Sequence, residues 1–124
     1  MQSPMSNELR VLMVEPHKAP YEAKIRDDLA DLQKAVGGYI EIVSNNDGTL
    51  IVCNEEGKLN GMEGNRRIES DVIAGPFFVV GEQGEDFRSL TEDELAKYKE
   101  RFKEIEDISQ DEVDEAMRME FYSM

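Results

Sequence analysis

Twenty-eight carboxylates stand against fourteen lysines and arginines in this chain of 124 residues, with a single histidine and a single cysteine. His17 lies in a turn beside Pro16 and Pro20, and no serine or cysteine is spaced to act with it as a nucleophile. A general base also needs a group that orients it, and none is identifiable. His17 is therefore expected to be a surface histidine and the chain not to be an enzyme. One Cys and one His cannot complete a common transition-metal site, so neither zinc nor haem is expected. Glu55-Glu56 and the run Asp111 to Glu115 could offer oxygen ligands to a divalent cation. Both lack the alternating acids and central glycine of a calcium loop, and the second run suits a first helical turn, where acids favour the helix dipole. No metal and no cofactor are expected.

Two groups of residues carry binding chemistry. The first is the segment Gly57 to Arg67, whose glycines let backbone amides approach a ligand. Within it Lys58, Asn60, Asn65, Arg66 and Arg67 could grip an anion such as a nucleotide. It is not a Walker loop, because no Gly-Lys-Ser/Thr opens a helix there, and it is not a dinucleotide fingerprint. Arg66-Arg67 is the only adjacent basic pair in the chain. The alternative is a turn-rich connection whose arginines pair with local acids such as Glu69.

The second group is acidic. The formal net charge is −14, and it is uneven: residues 82–124 carry a net −9 and residues 1–81 a net −5. Such a field repels DNA, RNA and anionic membrane surfaces and favours basic partners. Asp93, Glu100, Glu104, Asp107, Asp111, Asp114 and Glu115 are the candidate contacts to a basic, nucleic-acid-binding site on another protein. The alternative is that these acids only keep a small domain soluble.

The elements that must position these groups follow from periodicity and turn chemistry. Residues 1–8 are expected to be flexible and 9–124 to form one α+β domain, with a sheet-rich part over 9–81 and an acidic helical part over 89–124. Leu9 to Val14 and Tyr21 to Ile25 read as a hairpin, and Tyr39 to Val43 with Thr49 to Cys53 as another around Asn45-Asn46-Asp47-Gly48. Between the hairpins, Asp27-Asp28 open a short helix whose Leu29, Leu32 and Val36 form one apolar stripe, and Gly37-Gly38 end it. Residues 54–67 read as a long irregular loop that could hold one small strand or turn. Asp71 to Gly81 reads as a strand that bends at Pro76 or lies at an edge. Thr91-x-x-Glu94 and Ser109-x-x-Glu112 are capping boxes, with Leu90/Leu95 and Ile108/Val113 as hydrophobic staples. Leu95, Tyr98, Phe102 and Ile105 continue the first of these helices.

The predicted fold is thus a mainly antiparallel sheet of about five strands, one short inserted helix and two C-terminal helices lying against one sheet face. Met117 to Met124, with Met119, Phe121 and Tyr122, should complete the core or make a homo-oligomer contact through the C-terminal helices. Cys53, in the run Leu50 to Cys53, reads as a buried small hydrophobe. No signal peptide and no apolar run of about 18 residues is apparent, so a cytoplasmic protein without membrane contact is expected.

In combination, Val36-Gly37-Gly38-Tyr39-Ile40-Glu41, Asn54-Glu55-Glu56-Gly57-Lys58-Leu59, Asn65-Arg66 and Ile73-Ala74-Gly75-Pro76-Phe77-Phe78-Val79-Val80-Gly81 are distinctive. Over roughly Leu9 to Leu90 the chain resembles an uncharacterised domain-of-unknown-function family. That family is encoded by phages and conjugative elements of low-GC Gram-positive bacteria and their relatives. The resemblance brings no activity with it. It implies a context in which neighbouring genes often serve antirestriction and other counter-defence roles; taken with the acidic charge, the expected partner is a host protein with a basic surface. The acidic helices after Leu90 are less characteristic of that family.

Overall fold

Two hairpins form where their turn residues place them. The computed structural model describes residues 8–69 and 71–122. Strands β1 (Glu8–Val14) and β2 (Tyr21–Arg26) pair antiparallel, as do β3 (Ile40–Ser44) and β4 (Thr49–Asn54). In the second turn Asn46 and Gly48 both take positive φ, and the Asp47 carboxylate accepts from the Thr49 backbone N–H at 3.0 Å. Helix α1 (Leu29–Val36) lies between the hairpins, with Asp28 as N-cap and Gly37, at φ 82°, as left-handed C-cap.

The remaining elements are β5 (Gly64–Ile68), β6 (Asp71–Ala74), β7 (Phe77–Gln83), β8 (Asp86–Arg88), α2 (Glu92–Phe102) and α3 (Gln110–Tyr122). The large sheet has the order β2-β1-β7-β4-β3, with β8 paired to β7, and every pairing in it is antiparallel. β5 and β6 make a separate two-stranded sheet. The fold is α+β as predicted, with six strands in the main sheet. No helix among the described residues is long and apolar enough to cross a membrane.

The sequence predicts helices on one face, and the structure corrects this. β1, β4 and β7 are near-continuous apolar runs, so each presents hydrophobic side chains to both faces. On one face Leu12, Val14, Ile51, Cys53, Phe77 and Val79 pack with Leu90, Leu95, Tyr98 and Phe102 around α2. On the other, Val11, Met13, Leu50, Val52, Phe78 and Val80 meet Leu32 and Val36 of α1. Leu29, expected in the α1 stripe, is 59% exposed. α3 lies on the small sheet, where Ile108, Val113 and Ala116 cover Val72 and Ala74.

The run from Asp71 to Gly81 is two strands, not one. Gly75 adopts φ 85° and Pro76 has no N–H to donate, so the ladder breaks between them. β6 joins the small sheet, while β7 becomes a central strand of the large one. The small strand that the 54–67 segment could hold is β5, at 64–68, which shortens the irregular loop. β8 was not expected.

Thr91 caps α2 with both bonds of a capping box: its hydroxyl accepts from Glu94 N at 3.2 Å, and Glu94 accepts from Thr91 N at 3.0 Å. Thr91→Ala is expected to cost about 1 kcal/mol in urea denaturation. At α3, Ser109 Oγ accepts from Glu112 N at 3.2 Å, but the Glu112 carboxylate is engaged elsewhere. Expectations for residues 1–7, and for core or oligomer contacts through Met119, Phe121, Tyr122 and Met124, concern residues or side chains outside those described.

Candidate acidic binding surface

Successive strand residues point to opposite faces, and on β5 this sends two adjacent arginines to opposite fates. Arg66 is fully buried, the largest side chain with no exposure among the described residues. Its Nε and Nη2 donate to the Phe102 carbonyl at 3.1 and 2.9 Å. Nη1 donates to Asn65 O at 3.1 Å and Asn65 Oδ1 at 2.8 Å, and Nη2 also donates to Lys18 O at 2.9 Å. A guanidinium has five N–H donors, and five bonds are made. Burial lowers the Arg66 pKa, and the charge of Glu106 opposes that shift.

The Phe102 carbonyl is the last of α2, where the next helical turn would supply the Glu106 N–H. Arg66 takes that place and brings positive charge to the negative end of the helix. α2 therefore stops at Phe102, and Ile105, predicted to continue its apolar stripe, is 53% exposed.

Arg67 faces outward and grips two acids far away in sequence. Its Nε and Nη2 donate to the two Glu112 carboxylate oxygens at 2.6 and 2.7 Å, and Nη1 donates to Glu106 at 2.9 Å. The Arg67 backbone N–H adds a bond to the same Glu106 oxygen at 3.2 Å. Donating hydrogen bonds to Glu112 and then to Glu106 raises the Arg67 pKa, and accepting from Arg67 lowers that of Glu112. Adjacent arginines thus tie the end of α2, the linker 103–109 and the start of α3 to one strand.

The anion-gripping loop is accordingly corrected. Arg66 has no donor left for a ligand. Asn65 is buried too, its Nδ2 donating to Val14 O and Gly75 O at 2.9 Å each while its Oδ1 serves Arg66. Lys58 is bound to Asp71 at 2.8 Å, and Asn60 is exposed in the turn. The concavity beside Arg67, of about 150 Å³, is walled by Glu69, Asp71, Glu112 and Glu115, which repel an anion. That near Lys58 is about 110 Å³, below the several hundred Å³ that small-molecule sites occupy. Arg67 does pair with acids, but with Glu106 and Glu112 rather than Glu69.

The candidate partner contacts divide into two sets. On α2, cations are interleaved with the acids: Lys97 binds Asp47 at 2.7 Å, Lys99 binds Glu22 at 3.3 Å, and Glu100 is matched by Lys103 at 2.9 Å. Arg101 lies over the Tyr98 and Phe102 rings, 5.7 and 5.0 Å from their centroids. Asp93 is exposed in the first turn of α2, apart from the linker. The linker and α3 are different. Glu104, Asp107 and Asp111 are exposed and have no ion-pair partner among the described residues. Asp114 accepts only from Gln110, at 3.1 Å, and Glu115 pairs with Arg118 at 2.9 Å. The uncompensated negative strip therefore runs from the linker into α3, beginning just beyond Lys103.

Among the described residues, no group of three or more His, Cys, Asp or Glu side chains is placed to hold a metal ion. His17 is exposed, with Nε2 2.7 Å from a Glu63 carboxylate oxygen. The sequence did not single out Asp47 or Arg88, both of which tie α2 to the sheet. Asp47 accepts from Tyr98 Oη at 2.7 Å, and Arg88 is bidentate to Glu94 at 2.8 and 3.0 Å. Asp47 falls in a turn motif that masked its second role.

These pairings make stability depend on acid. A hydrogen bond from Arg88 lowers the Glu94 pKa, as one from Arg67 lowers that of Glu112. At Asp47 burial pushes upward, but bonds from Lys97, Thr49 and Tyr98 outweigh it and hold the pKa well below the usual range. A carboxylate whose folded pKa lies below its unfolded value stabilises above the unfolded pKa and loses that contribution as pH falls through the folded one. Urea midpoints should stay level down to about pH 5 and fall steadily below about pH 4. Arg67→Met should have the shallower acid limb.

No curated protein matches the chain, and no solved structure does. The family model of a domain of unknown function, DUF3846, matches residues 9–103. That span holds every strand together with α1, α2 and both arginines, and ends where the acidic strip begins. Matched over more than three quarters of its length, the chain belongs to the DUF3846 family.

Proposed function

We propose that this protein is a non-catalytic binding protein of a mobile genetic element, acting in the host cytoplasm, whose acidic surface occupies a basic, nucleic-acid-binding site on a host protein. The observation that carries this reading is the strip Glu104, Asp107, Asp111 and Asp114, which makes no ion pair with a described residue and is anchored through Glu106 and Glu112 to Arg67. A site that holds DNA or RNA presents lysines and arginines spaced to meet phosphates. Carboxylates already fixed on a folded helix compete there without the entropy cost of ordering a flexible polyanion. The net charge of −14 steers such a partner over long range.

The resemblance to families of phages and conjugative elements supports a counter-defence role. Because the strip lies beyond residue 103, the activity is proposed as a property of this branch grafted onto the DUF3846 scaffold. The test is capture from a host lysate on the immobilised chain, with mass spectrometry of what is retained. A retained protein with a Lys/Arg-lined nucleic-acid site, released by added duplex DNA or RNA, supports the reading. Retention that ignores added polyanion opposes it.

A further inference from the structure

The two edges of the main sheet are treated differently. Edge β2 is guarded by exposed Glu22, Lys24 and Arg26, and Glu22 is held by Arg10 at 3.0 Å and by Lys99. Edge β3 has no Lys, no Pro and no bulge, and its register with β4 is regular over five pairs. It exposes Ile42 at 49% and Val43 at 41%. Glu41 is exposed on it too, beside Val43 on the face opposite Ile42, but an edge this regular with two exposed β-branched residues is the kind that soluble proteins usually protect.

The hydrogen-bonding phase of β3 shows which groups are unpaired. Glu55 N donates to Tyr39 O at 2.8 Å, and Asn45 N donates to Thr49 O at 3.0 Å. In an antiparallel ladder bonded residues alternate, so Tyr39, Glu41, Val43 and Asn45 turn their backbone groups toward β4. Ile40, Ile42 and Ser44 turn theirs outward, where no described strand lies.

Charge then decides what fits. On the α1 face, Ile42, Leu50 and Phe87 form the floor of a groove of about 350 Å³. Its walls carry Asp27, Glu82, Glu85 and Asp86, none of them in an ion pair or side-chain hydrogen bond with a described residue. Burial, then the charges of Asp86 and Asp28, raises the Asp27 pKa, as expected of an acid array lacking a cation. A second copy would bring another −14 to this edge, whereas a basic segment would neutralise it.

We infer that β3 is a receptor edge for strand addition, taking an extended partner segment in which basic and apolar residues alternate. The partner's backbone completes the ladder at Ile40, Ile42 and Ser44. Its Lys or Arg side chains, on the α1 face, lay their aliphatic stems over Ile42 and put their charges between Asp27 and the Glu82–Asp86 hairpin. Its apolar side chains, on the opposite face, lie beside Val43. This surface belongs to the family domain and needs nothing from the acidic strip on α3.

The probe is a fluorescent peptide of roughly nine residues alternating Arg and Val, long enough to span β3, measured by anisotropy. A second peptide has the same sequence and charge with N-methyl groups on the alternate residues whose N–H would pair with β3. The alternating peptide should bind, and N-methylation should weaken it by about tenfold or more. Ile42→Lys, checked for an unchanged thermal transition, should weaken it similarly, and Val43→Lys serves if that variant does not fold. Reversing the acids of α3 should leave the ratio of binding between the two peptides unchanged, whatever it does to their shared charge attraction, so failure here and failure of the proposed function are distinguishable. No binding, or equal binding of both peptides, would overturn the inference in favour of charge attraction alone. Sedimentation showing a dimer of the free chain that Ile42→Lys dissolves would overturn it in favour of a second copy at this edge.

Discussion

Replacing Arg66 with alanine should destabilise the protein by about 3–5 kcal/mol, measured as the shift in urea unfolding. The guanidinium fills a fully buried site and satisfies the carbonyls of Phe102, Lys18 and Asn65. Alanine leaves those acceptors in a dry cavity and uncaps α2 at the same time. Arg66→Lys should recover only part of the loss, because an ammonium lacks the planar fork that reaches several carbonyls at once. Arg67→Ala, at a side chain about half exposed and screened by solvent, should shift the urea midpoint much less. If Arg66→Ala unfolds at the same urea concentration as the parent, the buried fork does not hold the helices to β5.

Reversing Glu104, Asp107, Asp111 and Asp114 together to lysine should abolish partner capture while leaving the fold intact. Four reversals change the net charge from −14 to −6 and turn the strip positive, so that a basic site would repel it. None of the four makes an ion pair with a described residue, so few contacts within the protein are lost. The main structural cost is at Asp111, in the first turn of α3, where a lysine opposes the helix dipole by about 0.5 kcal/mol. In the parent protein, capture should weaken as salt rises, since exposed charges are screened beyond about 8–10 Å at physiological ionic strength. A correctly folded reversal variant that captures the same proteins at the same salt would place the interaction elsewhere, and edge β3 would be the first candidate.

Local signals made much of the fold legible. The Asn45–Gly48 turn, the Asp28 and Gly37 caps and the Thr91 capping box are each decided by residues within a few positions of one another, and each formed as predicted. Non-local choices were harder to read. The continuous apolar runs of β1, β4 and β7 imply two covered faces, but the order β2-β1-β7-β4-β3 depends on which strands meet, and periodicity is silent on that. Gly75-Pro76 announced a break without saying that its two sides belong to different sheets.

The arginine pair is the sharpest case. Glycines, asparagines and two arginines in a presumed loop resemble an anion site when no partners are known. Their partners are the Phe102 carbonyl, Glu106 and Glu112, some 36 to 45 residues away in sequence. The ligand grip and the acidic face that the sequence suggests are parts of one assembly, in which Arg66 and Arg67 hold the elements that present the acids. The acids themselves were visible in the charge count. That Glu104, Asp107 and Asp111 lack the cation partners held by acids near α2 was legible only from the pairings of Lys97, Lys99 and Lys103.

The most direct measurement is competition at the captured partner. The protein retained from the lysate is loaded with labelled duplex DNA or RNA, and this chain is titrated in at physiological salt. Release of the nucleic acid is expected, reaching completion near one chain per site, with the four-lysine variant inactive. Simultaneous binding of nucleic acid and chain, or equal displacement by the variant, would contradict the proposal that the strip on the linker and α3 occupies the nucleic-acid site.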